Sequence, residues 1–191
     1  MSTPSTPERK SRTDAQRNRL RVLETARAMF AERGDEVQMP ELARAAGVGV
    51  GTVYRHFPTR GDLIEAAAEH RFAELAEYAR TECRAQPETG RAVELYLTRV
   101  GEMLAGDRGL SSAIETARGS SETEPRGAAR TELEAEVREL LSADQAAGTL
   151  RNDVTVADVY MLVGALSATI RTGSGDWRRL LVLTMNGLRT R

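Results

Sequence analysis

The sequence predicts an all-α protein, with an N-terminal three-helix head carrying a helix-turn-helix and a C-terminal helical body. Three observations predict it. No segment alternates apolar and polar residues as a half-buried strand does, whereas apolar residues recur at helical spacing through most of the chain. Glycines and capping pairs punctuate that pattern at ordinary helix lengths. The stretch GVGVGTVYRHFPTR at residues 47–60 reads as a glycine turn, one short helix and the start of another.

The elements follow in order. Residues 1–12 (MSTPSTPERKSR) are rich in Ser, Thr and Pro and have no apolar face, so a disordered basic arm is expected. A long helix follows in TDAQRNRLRVLETARAMFAERG, with Thr13 and Gln16 as its capping box. Leu23, Ala26 and Phe30 form its apolar face and Gly34 closes it. Pro40–Ala46 is a short helix opened by proline, with Leu42, Ala43 and Ala46 on one side and Gly47 as its left-handed end.

The next helix carries the first functional inference. At about 100° per residue, Val53 and Phe57 point to the core with Val50 near them, and Gly51 and Arg55 lie almost opposite. Thr52 and Tyr54 flank that outward centre. Such a helix suits a DNA groove, anchored by an apolar i, i+4 pair while the far side reaches bases and phosphates. Arg55 is the candidate base reader, because a guanidinium can bond guanine O6 and N7 together. A glycine at 51 weakens the helix, and close approach of a ligand to the backbone offsets that cost. His56 lies nearer the core edge, either hydrogen-bonded within the head or on a phosphate. Thr59 and Asp62 form a T-x-x-D box that opens the following helix. Arg60 at its first position opposes the helix dipole and is either a phosphate contact or a solvated arginine. In the arm, Arg9, Lys10 and Arg12 either follow a groove or phosphate strand, or form a solvated tail.

Residues Leu20 to Ile64 resemble the N-terminal domain of the TetR family of bacterial transcriptional repressors. ARAMFAERG, ELARAAGV and GTVYRHFPTRGDLI carry the resemblance, with Thr52, Tyr54, His56, Phe57 and Leu63 at the family's positions. Asp35 departs from it, standing where an aromatic or apolar residue is usual, and Met39–Pro40 stand where a Ser or Thr cap is usual. The resemblance implies homodimers on a palindromic double-stranded operator and a small-molecule inducer of unknown identity bound in the C-terminal helices. It implies that Tyr54, His56 and Arg60 touch the DNA backbone while Val50, Gly51 and Arg55 face base edges. The expected domains are the arm at 1–12, the DNA-binding head at 13–58 and the body at 59–191.

Charge agrees with that division. Residues 1–60 carry 11 basic and 7 acidic side chains, the remainder 16 and 21, so a net of −1 conceals a basic head on an acidic body. The body reads as helices near 60–84, 91–105, 110–118, 128–147, 155–172 and 176–190. The last two are apolar nearly all round. They either complete the chain's own core or pair with a second copy in a four-helix interface. Val159, Leu162, Val163, Leu166, Ile170, Leu181, Met185 and Leu188 are the expected contributors. Tyr96, Met103, Ile114, Leu133, Val137 and Tyr160 either line an inducer pocket or are simple core.

Enzyme chemistry finds little here. Histidine occurs only at 56 and 70, no phosphate loop is present, and Glu69, His70 and Cys83 lack metal-ligand spacing, so no cofactor, metal or catalytic residue is expected. Cys83 is the only cysteine. The N-terminus lacks an apolar signal region and no stretch approaches a membrane span, so no membrane partner and a cytoplasmic location are expected. The function expected is a ligand-responsive repressor. The alternative is a small-molecule-binding or non-specific DNA-binding helical protein without a dedicated operator.

Overall fold

The computed structural model describes residues 7–85, 90–119 and 126–190, and among these the chain is helical, with one isolated β-bridge between Leu150 and Arg189. Its α-helices are α1 (Pro7–Arg33), α2 (Met39–Ala45), α3 (Val50–His56), α4 (Arg60–Tyr78), α5 (Ala92–Gly106), α6 (Arg108–Arg118), α7 (Gly127–Ala146), α8 (Val156–Thr172) and α9 (Trp177–Leu188). A π-helical turn, Ala79–Cys83, prolongs α4. No described helix is long and apolar enough to cross a membrane. The chain divides into two compact units, residues 1–68 with 109–122, and 69–108 with 123–191.

In the first unit, α1, α2 and α3 close around Val22, Leu23, Ala26, Phe30, Leu42, Ala43, Val53 and Phe57, all fully or almost fully buried. The expected apolar faces of the first three helices are therefore the core. Cation–π contacts pin the helices together, with Arg19 5.4 Å from the Phe57 ring and Arg60 5.5 Å from the Phe30 ring. Arg33 bonds Glu41 at 2.7 Å, tying the end of α1 to α2. Helix α6 belongs to this unit at both ends. A Cβ at Gly109 would fall on the Phe30 carbonyl oxygen, so only glycine permits that approach to α1. At the other end, the buried Arg118 makes a two-pronged bond to Glu65 of α4, 2.7 Å at each prong.

Two expectations about α1 need correction. The helix starts at Pro7, so residues 7–12 of the expected disordered arm are helical, and only 1–6 lie outside the described residues. Thr13 is consequently inside the helix rather than its cap. The Ser/Thr/Pro composition disfavours a core, but it does not stop a helix from extending backwards from a well-anchored one.

In the second unit, α5 is the central helix, packed by α7, α8 and α9. The buried carboxylate of Asp144 on α7 accepts hydrogen bonds from the Ala92 and Val93 amides at 3.0 and 2.9 Å, capping α5 from another helix. The Trp177 indole lies against Gly101, where a Cβ would overlap it. Leu133, Val137, Leu140 and Leu141 of α7 are buried as their spacing predicts. Helix α8 opens with a capping box of Thr155 and Asp158, and α9 with Asp176 bonded to the Arg178 amide. Arg80 bridges Glu132 and Glu136 of α7 at 2.9 and 3.0 Å. Arg189 reaches Glu94 of α5 at 2.7 Å and holds the C-terminal end of the chain.

Candidate nucleic-acid interface

The α2–α3 unit is built by a tight glycine turn. Helix α2 ends as a Schellman motif, in which the Val48 amide donates to the Ala43 carbonyl and the Gly47 amide to the Arg44 carbonyl. Gly47 has φ +65°, which a side chain resists. This turn throws α3 away from α2 and brings Val53 into the core. The other end of α3 is equally fixed, because Phe57 is buried and the Phe57 amide donates to the Val53 carbonyl. Beyond it the predicted T-x-x-D box is present, with the Thr59 amide on Asp62 Oδ2 at 2.9 Å and the Asp62 amide on Thr59 Oγ1 at 3.1 Å.

The remaining side of α3 faces outward. Gly51, Tyr54 and Arg55 are exposed, and Thr52 is half-buried. Arg55 has no ion-pair partner among the described residues, so its guanidinium is available to an outside acceptor. His56 is half-buried with its ring 6.2 Å from that of Phe57, at the core edge as its helical angle predicts. Val50 departs from the reading by helical angle, not from the outward position that the resemblance implies. Its angle places it near the core, yet it is 41% exposed, because at the first residue of α3 no earlier turn covers it.

Arg60 also departs from a simple exposed cation. It is half-buried, stacked over Phe30, and its Nε donates to the Val37 carbonyl at 3.4 Å. Its position at the head of α4 is thus stabilised from within the unit. The side chains of Arg9, Lys10 and Arg12 lie outside the described residues. Sequence reasoning passed over Arg44, an exposed guanidinium in the last turn of α2 that also lacks an ion-pair partner among the described residues. Its signal was present, since in PELARAA it is the polar residue facing away from Leu42 and Ala46.

The body candidates are divided between core and surface. Tyr96, Leu133 and Val137 are buried in the second unit, Met103 is half-buried, and Ile114 belongs to the first unit. Burial, reinforced by Tyr160 and Cys83 nearby, pushes the Tyr96 hydroxyl far above its ordinary range, so it stays neutral. The Cys83 thiol is pushed up to about 11 by burial, which makes it an unreactive core group. Of the six expected pocket residues, only Tyr160 lines the open groove of about 500 Å³ between α7 and α8, beside Arg130, Arg138 and Met161.

The expected interface set also needs correction. Val159, Leu166, Ile170, Leu181 and Met185 are buried in the chain's own core, and Leu162, Val163 and Leu188 are half-buried. The large apolar side chains that α8 and α9 leave exposed are Met161, Val182 and Leu183, at 66, 47 and 54%. Apolar periodicity marks both helices, but their inward faces are used by the chain's own core.

Comparison with known proteins agrees with this geometry. Residues 22–67 match the family model for bacterial regulatory proteins of the tetR family. Residues 87–190 match the model for the C-terminal domain of SbtR-like transcriptional regulators. A TetR transcription regulatory protein from Mycobacterium vanbaalenii is 39% identical with a TM-score of 0.73, over 94% of this chain and 99% of that one. A TetR transcriptional regulator from Streptomyces coelicolor is 32% identical with a TM-score of 0.67, over 90% and 98%. An HTH-type transcriptional regulator of Staphylococcus aureus strain USA300 is 45% identical over 53 residues, 27% of this chain. That match spans only 29% of the staphylococcal protein.

Proposed function

Because the chain belongs to the TetR family of bacterial transcriptional regulators, we propose that it is a repressor that binds a palindromic operator as a homodimer and is released by a small molecule. The observation that carries the DNA-binding part is the construction of α3. Its core side is locked by Val53 and Phe57, while Gly51, Tyr54 and Arg55 stand exposed, as does Arg44 of α2. In this reading Arg55 reads a guanine. Thr52, Tyr54, His56 and Arg60 position the head on phosphates, with Val50 and Gly51 against base edges.

Dimerisation is assigned to α8 and α9, where the large apolar side chains of Met161, Val182 and Leu183 stand exposed. A two-fold dimer presents two α3 helices to half-sites about one helical turn of DNA apart, and occupancy of the operator excludes polymerase. Release needs only differential affinity. A ligand that binds better to the conformation with poor operator affinity weakens DNA binding by that ratio. Helix α4 contributes residues to both units and is the covalent route for such a shift.

The test is fluorescence anisotropy of the full-length protein on DNA flanking its own gene, against scrambled competitor at two salt concentrations. The expected result is binding at least about 10³-fold tighter than to the scrambled duplex. Binding that falls with salt equally on every sequence, both there and on duplexes selected from random DNA, would reject a dedicated operator.

A further inference from the structure

Resting on that reading of α3, we propose that Val50 reads the 5-methyl group of a thymine in each operator half-site. Val50 is the first residue of α3, and it is exposed beside Gly51, one turn before the exposed Tyr54. It is β-branched, a poor helix former, and it is not among the buried residues of its own unit. At 41% exposure a large part of its side chain is left to an outside contact.

The chemistry of a major groove narrows what does. N-terminal residues of a recognition helix are those that meet base edges. Those edges present hydrogen-bond donors and acceptors and one apolar group, the thymine C5-methyl. A valine pressed onto any other edge strips water from polar atoms and returns no hydrogen bond. Val50 therefore attracts thymine and penalises the other bases. Gly51 matters to the same contact. Its φ is not positive, and a Cβ there would meet nothing within 4 Å, so neither backbone conformation nor internal packing demands glycine. What glycine supplies is low relief next to Val50, letting a valine with short reach come up to the methyl group.

The experiment uses the full-length protein and the duplex it enriches from a randomised library. Each thymine is replaced singly by 2′-deoxyuridine, which deletes only the methyl group. The expected result is one thymine per half-site at which the replacement weakens binding about fourfold, the worth of one buried methyl. In Val50→Ser that penalty disappears, while in Val50→Thr, which keeps one γ-methyl, part of it remains. Matching thermal melts for the three proteins establish that the fold is unchanged. Indifference to deoxyuridine at every thymine overturns the assignment, and so does a penalty that survives in Val50→Ser. A library that yields no enriched sequence instead overturns the DNA-binding reading itself, so the two failures are told apart.

Discussion

Replacing Gly51 by alanine sets the fold and the function against each other. The added Cβ enters open space, with no heavy atom within 4 Å beyond its own helix and chain neighbours, and the backbone φ suits any residue. Alanine therefore removes the glycine penalty, up to about 1 kcal/mol in a helix and less in a first turn. For a chain of 191 residues that raises the melting temperature by up to about 2–4 °C. Operator binding should move the other way. If the α3 backbone rests against base edges, a methyl group at 51 lifts the helix by a fraction of its own radius. The bidentate Arg55 contact, about 1–3 kcal/mol of discrimination, is then strained or lost, a weakening of roughly 5- to 150-fold. Thermal unfolding by circular dichroism and anisotropy on a selected duplex read the two effects separately. A variant that melts higher and binds the duplex as tightly as the parent would refute close approach at Gly51. One that melts lower would refute the claim that the site is open.

Arg55→Ala should relax base preference at one operator position at a cost of about 1–3 kcal/mol, and equal weakening on all duplexes would make Arg55 a phosphate contact instead. Asp144→Ala leaves the Ala92 and Val93 amides without their buried acceptor. It should destabilise the protein by about 2–4 kcal/mol in urea titration, with Asp144→Asn costing less because one acceptor oxygen remains. Met161→Glu combined with Leu183→Glu should produce a monomer of unchanged helicity in analytical ultracentrifugation, and a surviving micromolar dimer would place the interface elsewhere. Glu94 is held below its ordinary value of 4.5 chiefly by its bond to Arg91, with Arg189 adding to the effect against the opposing influence of burial. Its depressed folded value means that the stability it supplies is complete above pH 4.5 and is lost as pH falls through that lower value. Glu94→Gln should therefore flatten the acid limb of the stability curve, and an unchanged limb would show that the Arg91 and Arg189 bonds together contribute nothing.

Much of the head was legible in the sequence because its determinants are local. The Thr59–Asp62 box, the Gly47 turn and the Leu23, Ala26, Phe30 face each lie within one or two helical turns, and all three are present. What escaped depends on distance or on chain ends. The wheel gave Val50 an angle near the core but not whether any residue covers that angle at a helix start. Arg60 reads locally as a cation misplaced at a positive dipole end. Its stacking on Phe30, thirty positions earlier, is a tertiary fact with no local trace. The start of α1 was misplaced because Thr13 is a plausible cap, whereas the helix extends to Pro7. Asp144 as the cap of α5 was invisible for the same reason as Arg60, with about fifty residues separating the carboxylate from the amides it holds.

The hardest distinction was between apolar faces turned to the chain's own core and those turned to a partner. Helical spacing is the same for both, so the stripe through Val159, Leu166 and Ile170 was read outward and proves to face inward. Glycines within helices separate the two cases better, because each weakens its helix and requires a compensating contact. For Gly101 that contact lies inside the chain, since the Trp177 indole occupies the space a Cβ would need. For Gly164, in the middle of α8, no described residue beyond its own helix backbone and chain neighbours comes within 4 Å of that space, and Met161 stands exposed one turn earlier. Gly51 on α3 is in the same position beside Val50. Gly164 and Gly51, two glycines that the chain's own packing does not explain, thus fall on the two helices proposed for outside contact, one for a second copy and one for DNA. Gly164→Ala should accordingly repeat the signature of Gly51→Ala at the other face, with a more stable helix and a weaker dimer.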